Sequence, residues 1–401
     1  MVDLELLRGL AVPAETKIVM LIIDGVGGLP LEEGGETELE AARTPNLDAL
    51  AERSICGLVQ HVGTGITPGS GPGHLSLFGY DPFKYQIGRG VLEALGIDLA
   101  LTSQDVAARG NFCTLDEEGW ILDRRAGRIP TAECERLCEQ LARIQLPGAE
   151  LVVRPVAEHR FVVVFRAGDL SDQLTETDPQ RLGVPPLPTS PTKPEAERTA
   201  KLVNEFVEKA RAILAEERPA NMVLLRGFAK VPILPTLPEL YQLRALALAA
   251  YPMYRGLAKL MGMEVLPVGR SLDDLFKALA ENYADYDFFY LHVKKADSAG
   301  EDGNFAGKVQ ALEEVDHHIP SLLQLHPDVI VVTGDHSTPS ALKGHSWHPV
   351  PILLFSRFCR PDSVREFSER GCLLGGLGRI KATEIMPLIL ANALRLQKFG
   401  A

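Results

Sequence analysis

At 401 residues, with 46% apolar and 23% charged side chains, the chain has the length of two domains or one large elaborated one and the composition of a globular protein. No stretch approaches the roughly 18 uninterrupted apolar residues of a membrane span, and Val2-Asp3-Leu4-Glu5 lacks the basic start and apolar core of a signal peptide. A net charge of −12 argues against sequence-independent nucleic-acid binding, and any anionic substrate must be drawn in by metals and a local basic cluster.

In chain order, residues 18–24 (Ile-Val-Met-Leu-Ile-Ile-Asp) read as a buried strand ending in a carboxylate. A helix opens at Thr44-Pro45-Asn46, where proline just inside the start loses no needed N–H. Residues 60–73, rich in Gly, Thr and Ser, lead into an apolar helical segment from His74. Residues 151–156 and 160–166 form a pair of strands around a short turn, and the proline-rich 178–194 is an extended loop or hinge. Strands return at 287–293, 329–334 and 350–356, with a helix over 305–319 stopped or kinked by Pro320 and a closing helix over 382–398. Strand–helix alternation at both ends predicts an α/β fold with a largely parallel sheet between helices. The middle reads as an inserted, smaller α+β domain at 106–220, with the core built from 1–105 and 221–401. The six cysteines (Cys56, Cys113, Cys134, Cys138, Cys359, Cys372) form no CxxC pair, which suits buried thiols in a cytoplasmic protein; Cys134 and Cys138, four apart in a helical pattern, are expected to pack together.

Chemistry gathers where strands end. Asp24 closes the first strand, Asp297 follows the strand at 287–293, and Asp335-His336 follows Val331-Val332-Thr333-Gly334, with His345 nine residues further on. Ligand sites of α/β proteins lie past the carboxyl ends of strands, so three such endings predict one site at one sheet edge. Carboxylates with imidazoles suit Mn²⁺, Mg²⁺ or Zn²⁺ and not a thiolate-preferring ion. With Glu301 nearby there are donors enough for two ions, the usual clamp for in-line phosphoryl displacement. Ser70, in Thr67-Pro68-Gly69-Ser70-Gly71-Pro72-Gly73-His74, is the candidate nucleophile, its hydroxyl left unobstructed by flanking glycines.

These strings resemble the archaeal-type cofactor-independent phosphoglycerate mutases of the alkaline phosphatase superfamily, nearly end to end. The resemblance rests on Ile23-Asp24-Gly25, Thr44-Pro45-Asn46, Pro68-Gly69-Ser70, His74 to Pro82, Gly88-Arg89-Gly90, Asp123 to Arg128, Thr333 to Pro339, His345-Ser346 and Gly375 to Lys381. It implies an alkaline-phosphatase-like core and a phosphoserine formed at Ser70. It implies one metal on Asp24, Ser70, Asp335 and His336, and a second on Asp297, His345 and residue 301. It favours Mn²⁺ over Mg²⁺, Zn²⁺ or Co²⁺, with no 2,3-bisphosphoglycerate. Relatives usually read Asp-x-x-Gly-His-Asp where this chain has Asp297-Ser298-Ala299-Gly300-Glu301-Asp302, so an anion replaces a neutral ligand. Substrate anions would be held by Arg124, Arg125, Arg128, His159, Arg160 and Arg226, and by Arg255, which stands where relatives often carry Lys.

The implied activity is interconversion of 3- and 2-phosphoglycerate, with a small anionic phosphorylated substrate. Two alternatives stand beside it: another phosphatase or phosphotransferase of the superfamily, or a relative that binds without turnover because of Glu301.

Overall fold

The first apolar run is strand β1 (Ile18–Ile23), buried along its whole length, in a computed structural model that describes residues 3–400. Apolar side chains on both faces mark it as a strand covered on both sides. The chain divides into two bodies, one running to Gln86 and again from Leu234 onward, the other Ile87–Ile233. The second body is wider than the insert expected at 106–220. Its helix Arg89–Gly96 packs Val91 and Ala94 against Ala107, Val162 and Ala229, so both flanks belong to its core.

In chain order, the first body contributes β1 and β2 (Ile55–Gln60). The second holds β3 (Asp105–Leu115), β4 (Ile121–Asp123), β5 (Glu150–Ala157), β6 (Arg160–Arg166) and β7 (Met222–Ala229). The first resumes with β8 (Ala245–Leu248), β9 (Glu264–Leu266), β10 (Phe288–Val293), β11 (Val329–Thr333), β12 (Val350–Ser356) and β13 (Gly378–Lys381).

The first body's sheet has the order β13-β2-β12-β11-β1-β10-β8-β9. β12 runs antiparallel to β11 and β2, and every other neighbouring pair is parallel. Seven strands therefore share one carboxyl edge. At the centre, Ile22 lies level with His292 of β10 and Thr333 of β11, so the loops after β10, β1 and β11 start side by side.

Two helices differ instructively from expectation. Phe305–Leu323 runs through Pro320 without stopping. A proline ring there removes the hydrogen bond to the Asp316 carbonyl, and the Asn46 side-chain amide donates to that carbonyl instead, at 3.3 Å. The other begins at Ser70, not His74 (Ser70–Leu77), because Pro72 falls in the first turn, where a missing N–H costs nothing. The closing helix is shorter than predicted, a 3₁₀ turn at Ala382–Glu384 followed by Ile385–Asn392.

In the second body, β5 and β6 pair antiparallel as the sequence suggested, within a sheet β4-β3-β6-β5 that β7 joins beside β3. Helices Thr131–Leu141 and Glu197–Leu214 bury Leu137, Phe206 and Leu214 with Phe112, Phe161 and Phe165. Residues 178–193 hold neither helix nor strand. Cys134 and Cys138 are buried thiols, Sγ atoms 4.0 Å apart. Among the described residues, no helix is long and apolar enough to cross a membrane.

Candidate active site

The loops after β1, β10 and β11 bring Asp24, Asp297, Asp335 and His336 together, all four buried. Two glycines let the loops meet. Gly25 has φ +69°, and a Cβ there would lie 2.9 Å from the Asp297 backbone; a Cβ on Gly73 would lie 2.4 Å from the Asp335 carbonyl oxygen. Gly73 thus lets helix Ser70–Leu77 press onto the Asp335 loop, with Ser70 at its positive N-terminal end. Ser70 Oγ stands 3.3 Å from His336 Nε2.

His336 is held in one orientation. Its Nδ1–H donates to Thr338 Oγ1 at 2.9 Å, and the Thr338 hydroxyl donates to Asp297 Oδ1 at 2.7 Å. Nε2 faces the acids, 3.4 Å from Asp24 Oδ1 and 3.2 Å from Asp335 Oδ2. Burial works against the charged ring, but the charges of Asp335, Asp24 and Asp297 outweigh it and raise the His336 pKa; a bound cation would take the place of the Nε2 proton. His345 is fixed likewise: Nδ1 donates to the Pro68 carbonyl at 3.1 Å, and Nε2 faces Asp297 Oδ1 at 3.5 Å. Burial and neighbouring His336 hold its pKa below the usual value.

Two donor triads result, Asp24–Asp335–His336 and Asp297–His336–His345, with ligand atoms within 4.8 Å of one another in each. Asp24 Oδ1 and Asp335 Oδ2 are buried oxygens that accept no hydrogen bond. A buried anionic oxygen without a donor is costly unless a cation sits on it, so these residues fit a divalent ion. Burial and the Asp335 charge press the Asp24 pKa upward, yet Lys294, His292 and His336 hold it well below the ordinary carboxylate range. Burial likewise opposes the ionised form of Asp335, and His336 and His74 outweigh it.

Glu301 stands apart from the triads. It ends the helix Lys295–Glu301 one turn after Asp297, with its side chain 54% exposed and Oε1 3.7 Å from His345 Nε2.

Four neighbours of the acids carried no assignment in the sequence. Tyr254 Oη donates to Asp24 Oδ2 at 2.5 Å and His292 Nε2 lies 3.1 Å from the same oxygen. Lys294 Nζ sits 3.1 Å from Asp24 Oδ2 and pairs with Asp297 Oδ2, joining the two triads. His74 donates from Nδ1 to the Ser70 carbonyl at 2.9 Å. Lys294 alone had a local signal, three residues before Asp297 on one helical face.

The arginines proposed for substrate fall into three groups. Arg124 is spent on a bidentate pair with buried Asp178, at 2.9 and 2.6 Å, and Arg226 lies 3.9 Å from the same carboxylate. Arg125, Arg128 and Arg160 surround buried His159 together with Arg109, a member the sequence reading missed; burial first, then these four charges, push the His159 pKa down to about 3. Arg255 belongs to the first body, half-buried on helix Pro252–Leu260 beside Tyr254.

A largely parallel sheet thus presents acidic and imidazole donors on three adjacent strand ends, facing a serine at a helix start. A sequence profile described as 2,3-bisphosphoglycerate-independent phosphoglycerate mutase matches residues 51–221. Relatives named "Probable 2,3-bisphosphoglycerate-independent phosphoglycerate mutase" are 52% identical in Thermus thermophilus, over 98% of both chains, and 53% identical in Deinococcus radiodurans, over 99% of both. Among solved structures, a Pyrococcus horikoshii protein matches with TM-score 0.84 and 32% identity, over 97% of this chain and all of its own. The cofactor-independent phosphoglycerate mutase of Thermoplasma acidophilum matches with TM-score 0.66 and 30% identity, over 94% of this chain and all of its own. The chain belongs to the 2,3-bisphosphoglycerate-independent phosphoglycerate mutase family. Membership carries divalent-metal dependence without 2,3-bisphosphoglycerate.

Proposed function

We propose that the chain interconverts 3- and 2-phosphoglycerate through a phosphoserine at Ser70. One divalent ion would be held by Asp24, Ser70, Asp335 and His336, and a second by Asp297 and His345 with Glu301 as outer ligand. Mn²⁺ suits this mixture of carboxylate and imidazole. When bound, the ions lower the pKa of the serine hydroxyl and offset charge on the phosphoryl oxygens.

Ser70 Oγ attacks phosphorus as the bond to the glycerate oxygen breaks, and the serine proton ends on that oxygen. The other glycerate hydroxyl then takes the phosphoryl group back and restores Ser70. Thr338 keeps His336 Nε2 directed at Ser70 Oγ and the two acids. Arg125, Arg128 and Arg160 around His159 supply the anion-binding cluster for phosphate and carboxylate, each through bidentate forks. Arg124 and Arg226 frame that cluster through Asp178. Arg255 is assigned to the substrate as well, from the first body.

The observation that carries this reading is the convergence of Asp24, Asp297, Asp335 and His336 from three adjacent parallel strands around Ser70. Turnover with added Mn²⁺, followed together with release of free phosphate, tests it. Isomerisation without phosphate release is expected. Phosphate release without isomerisation would make the chain a phosphatase, and neither with metal bound would leave a binding role.

A further inference from the structure

A concavity lies on the same sheet edge, at the carboxyl ends of β2 and β13. There Lys381 is the register partner of Gln60, and the sheet places ligands at such ends. The cavity has a volume of about 290 Å³ and lies wholly within the first body. Arg379 and Lys381, two apart on the edge strand, line it, and neither has a carboxylate within ion-pair distance among the described residues. Thr383 is 6% exposed, and its Oγ1 is a buried hydroxyl without a hydrogen-bond partner. A hydroxyl in that state is open to a ligand oxygen or an ordered water. Opposite them, Asp81 is the acid of the lining, its Oδ1 accepting from the Phe83 N–H at 2.9 Å, and the Phe83 ring forms an apolar wall.

Two unpaired cations, a buried hydroxyl, an acceptor and an apolar wall select for an anion that also carries a hydroxyl. In a chain of net charge −12, two cations left unneutralised are a local attractor for such a ligand. We propose that this cavity binds a small phosphorylated hydroxy compound, its phosphate held by Arg379, Lys381 and the Thr383 hydroxyl and its own hydroxyl by Asp81. His61 lines the same cavity and donates from Nε2 to the Gly334 carbonyl at 2.8 Å, next to Asp335. Occupancy therefore bears on the loop that carries Asp335.

The binding is independent of catalysis, so the test uses the full-length Ser70→Ala protein stripped of divalent metal by a chelator. It is titrated with glycerol 3-phosphate and, separately, with inorganic phosphate, followed by calorimetry and by the imidazole NMR signals of His61. The expected result is saturable glycerol 3-phosphate binding that shifts the His61 signals. It weakens at least tenfold in the Arg379→Ala/Lys381→Ala variant, weakens in Thr383→Val, and survives in Arg125→Ala. Equal affinity for inorganic phosphate would overturn the role given to Asp81 and the ligand hydroxyl and leave an anion site alone. No saturable binding at millimolar ligand, or binding unchanged in the folded double variant, would overturn the proposal. Arg379 and Lys381 are both exposed, so the double variant keeps its fold, which circular dichroism verifies.

Discussion

At the scale of single residues, the Thr338 hydroxyl matters most among the groups that touch no substrate. It accepts from His336 and donates to Asp297, so it fixes the imidazole and couples the two triads. Partners of this kind are worth about 10–100-fold in metal affinity. Thr338→Val keeps the volume and removes the relay; metal titration should show a loss of that size with the fold intact, and an unchanged affinity would mean the imidazole is oriented by packing alone. Glu301 invites a second substitution. A unit charge about 5 Å from a transferring phosphoryl is worth roughly 3 kcal/mol at an effective dielectric of about 20, but a side chain 54% exposed is screened by water. Glu301→His should raise turnover at saturating Mn²⁺ by about threefold to thirtyfold. Equal or lower turnover, both proteins fully loaded, would show a site adapted to the carboxylate. Asp24, Asp297 and Asp335-His336 were legible because each ends an apolar run. Tyr254 was not, because nothing local marks a side chain whose partner lies 230 residues away, as Asp24 does from Tyr254.

At the scale of elements, helix Phe305–Leu323 organises its surroundings through Asp316. The Asp316 carboxylate, 3% exposed, accepts from Asn46 N at 3.0 Å, Leu47 N at 2.7 Å and the Asn46 side chain at 2.8 Å, capping helix Pro45–Ala51 from another element. Hydrogen bonds to a buried charge contribute about 1.5–3 kcal/mol, so Asp316→Ala should cost about 2–4 kcal/mol in urea unfolding while metal affinity stays put. A change under about 0.5 kcal/mol would show the helix start held by Pro45 and packing alone. The pattern of apolar residues revealed the strands and the start at Thr44, since period and proline placement are local. It ended that helix too early, at 319, because the donor that compensates for Pro320, Asn46, is remote in sequence. It overran the last helix for a similar reason: Leu394 takes φ +55° and buried Arg395 turns inward to bond the carbonyls of Ala14 and Thr16. Only the folded chain supplies those acceptors.

At the scale of the whole molecule, two bodies with separate cores should respond to different variables. The triads belong to the first body and His159 to the second. Metal at one hundred times its dissociation constant adds about 2.7 kcal/mol. Calorimetry with and without chelator should therefore move the transition of the first body by several degrees and leave the second in place; equal shifts of both would contradict that assignment. Acid should act on the second body. His159 ionises at about 3 in the fold against 6.5 ordinarily, so below about 6.5 the unfolded chain takes up a proton that the folded chain refuses. Stability is present in full above that pH and is lost as pH falls toward 3, by somewhat less than about 1.4 kcal/mol per pH unit. His159→Gln should flatten that fall between pH 7 and pH 5 in thermal unfolding, and an unaltered slope would place the titration elsewhere. The most direct measurement of all is made on Ser70. Wild-type protein loaded with Mn²⁺ is mixed with phosphoglycerate, quenched in acid within the turnover time, and mapped by mass spectrometry. The account predicts phosphate on the peptide carrying Ser70, absent from Ser70→Ala, which should also lose mutase turnover with its fold intact. Full turnover in Ser70→Ala, or phosphate found only on another residue, would contradict it.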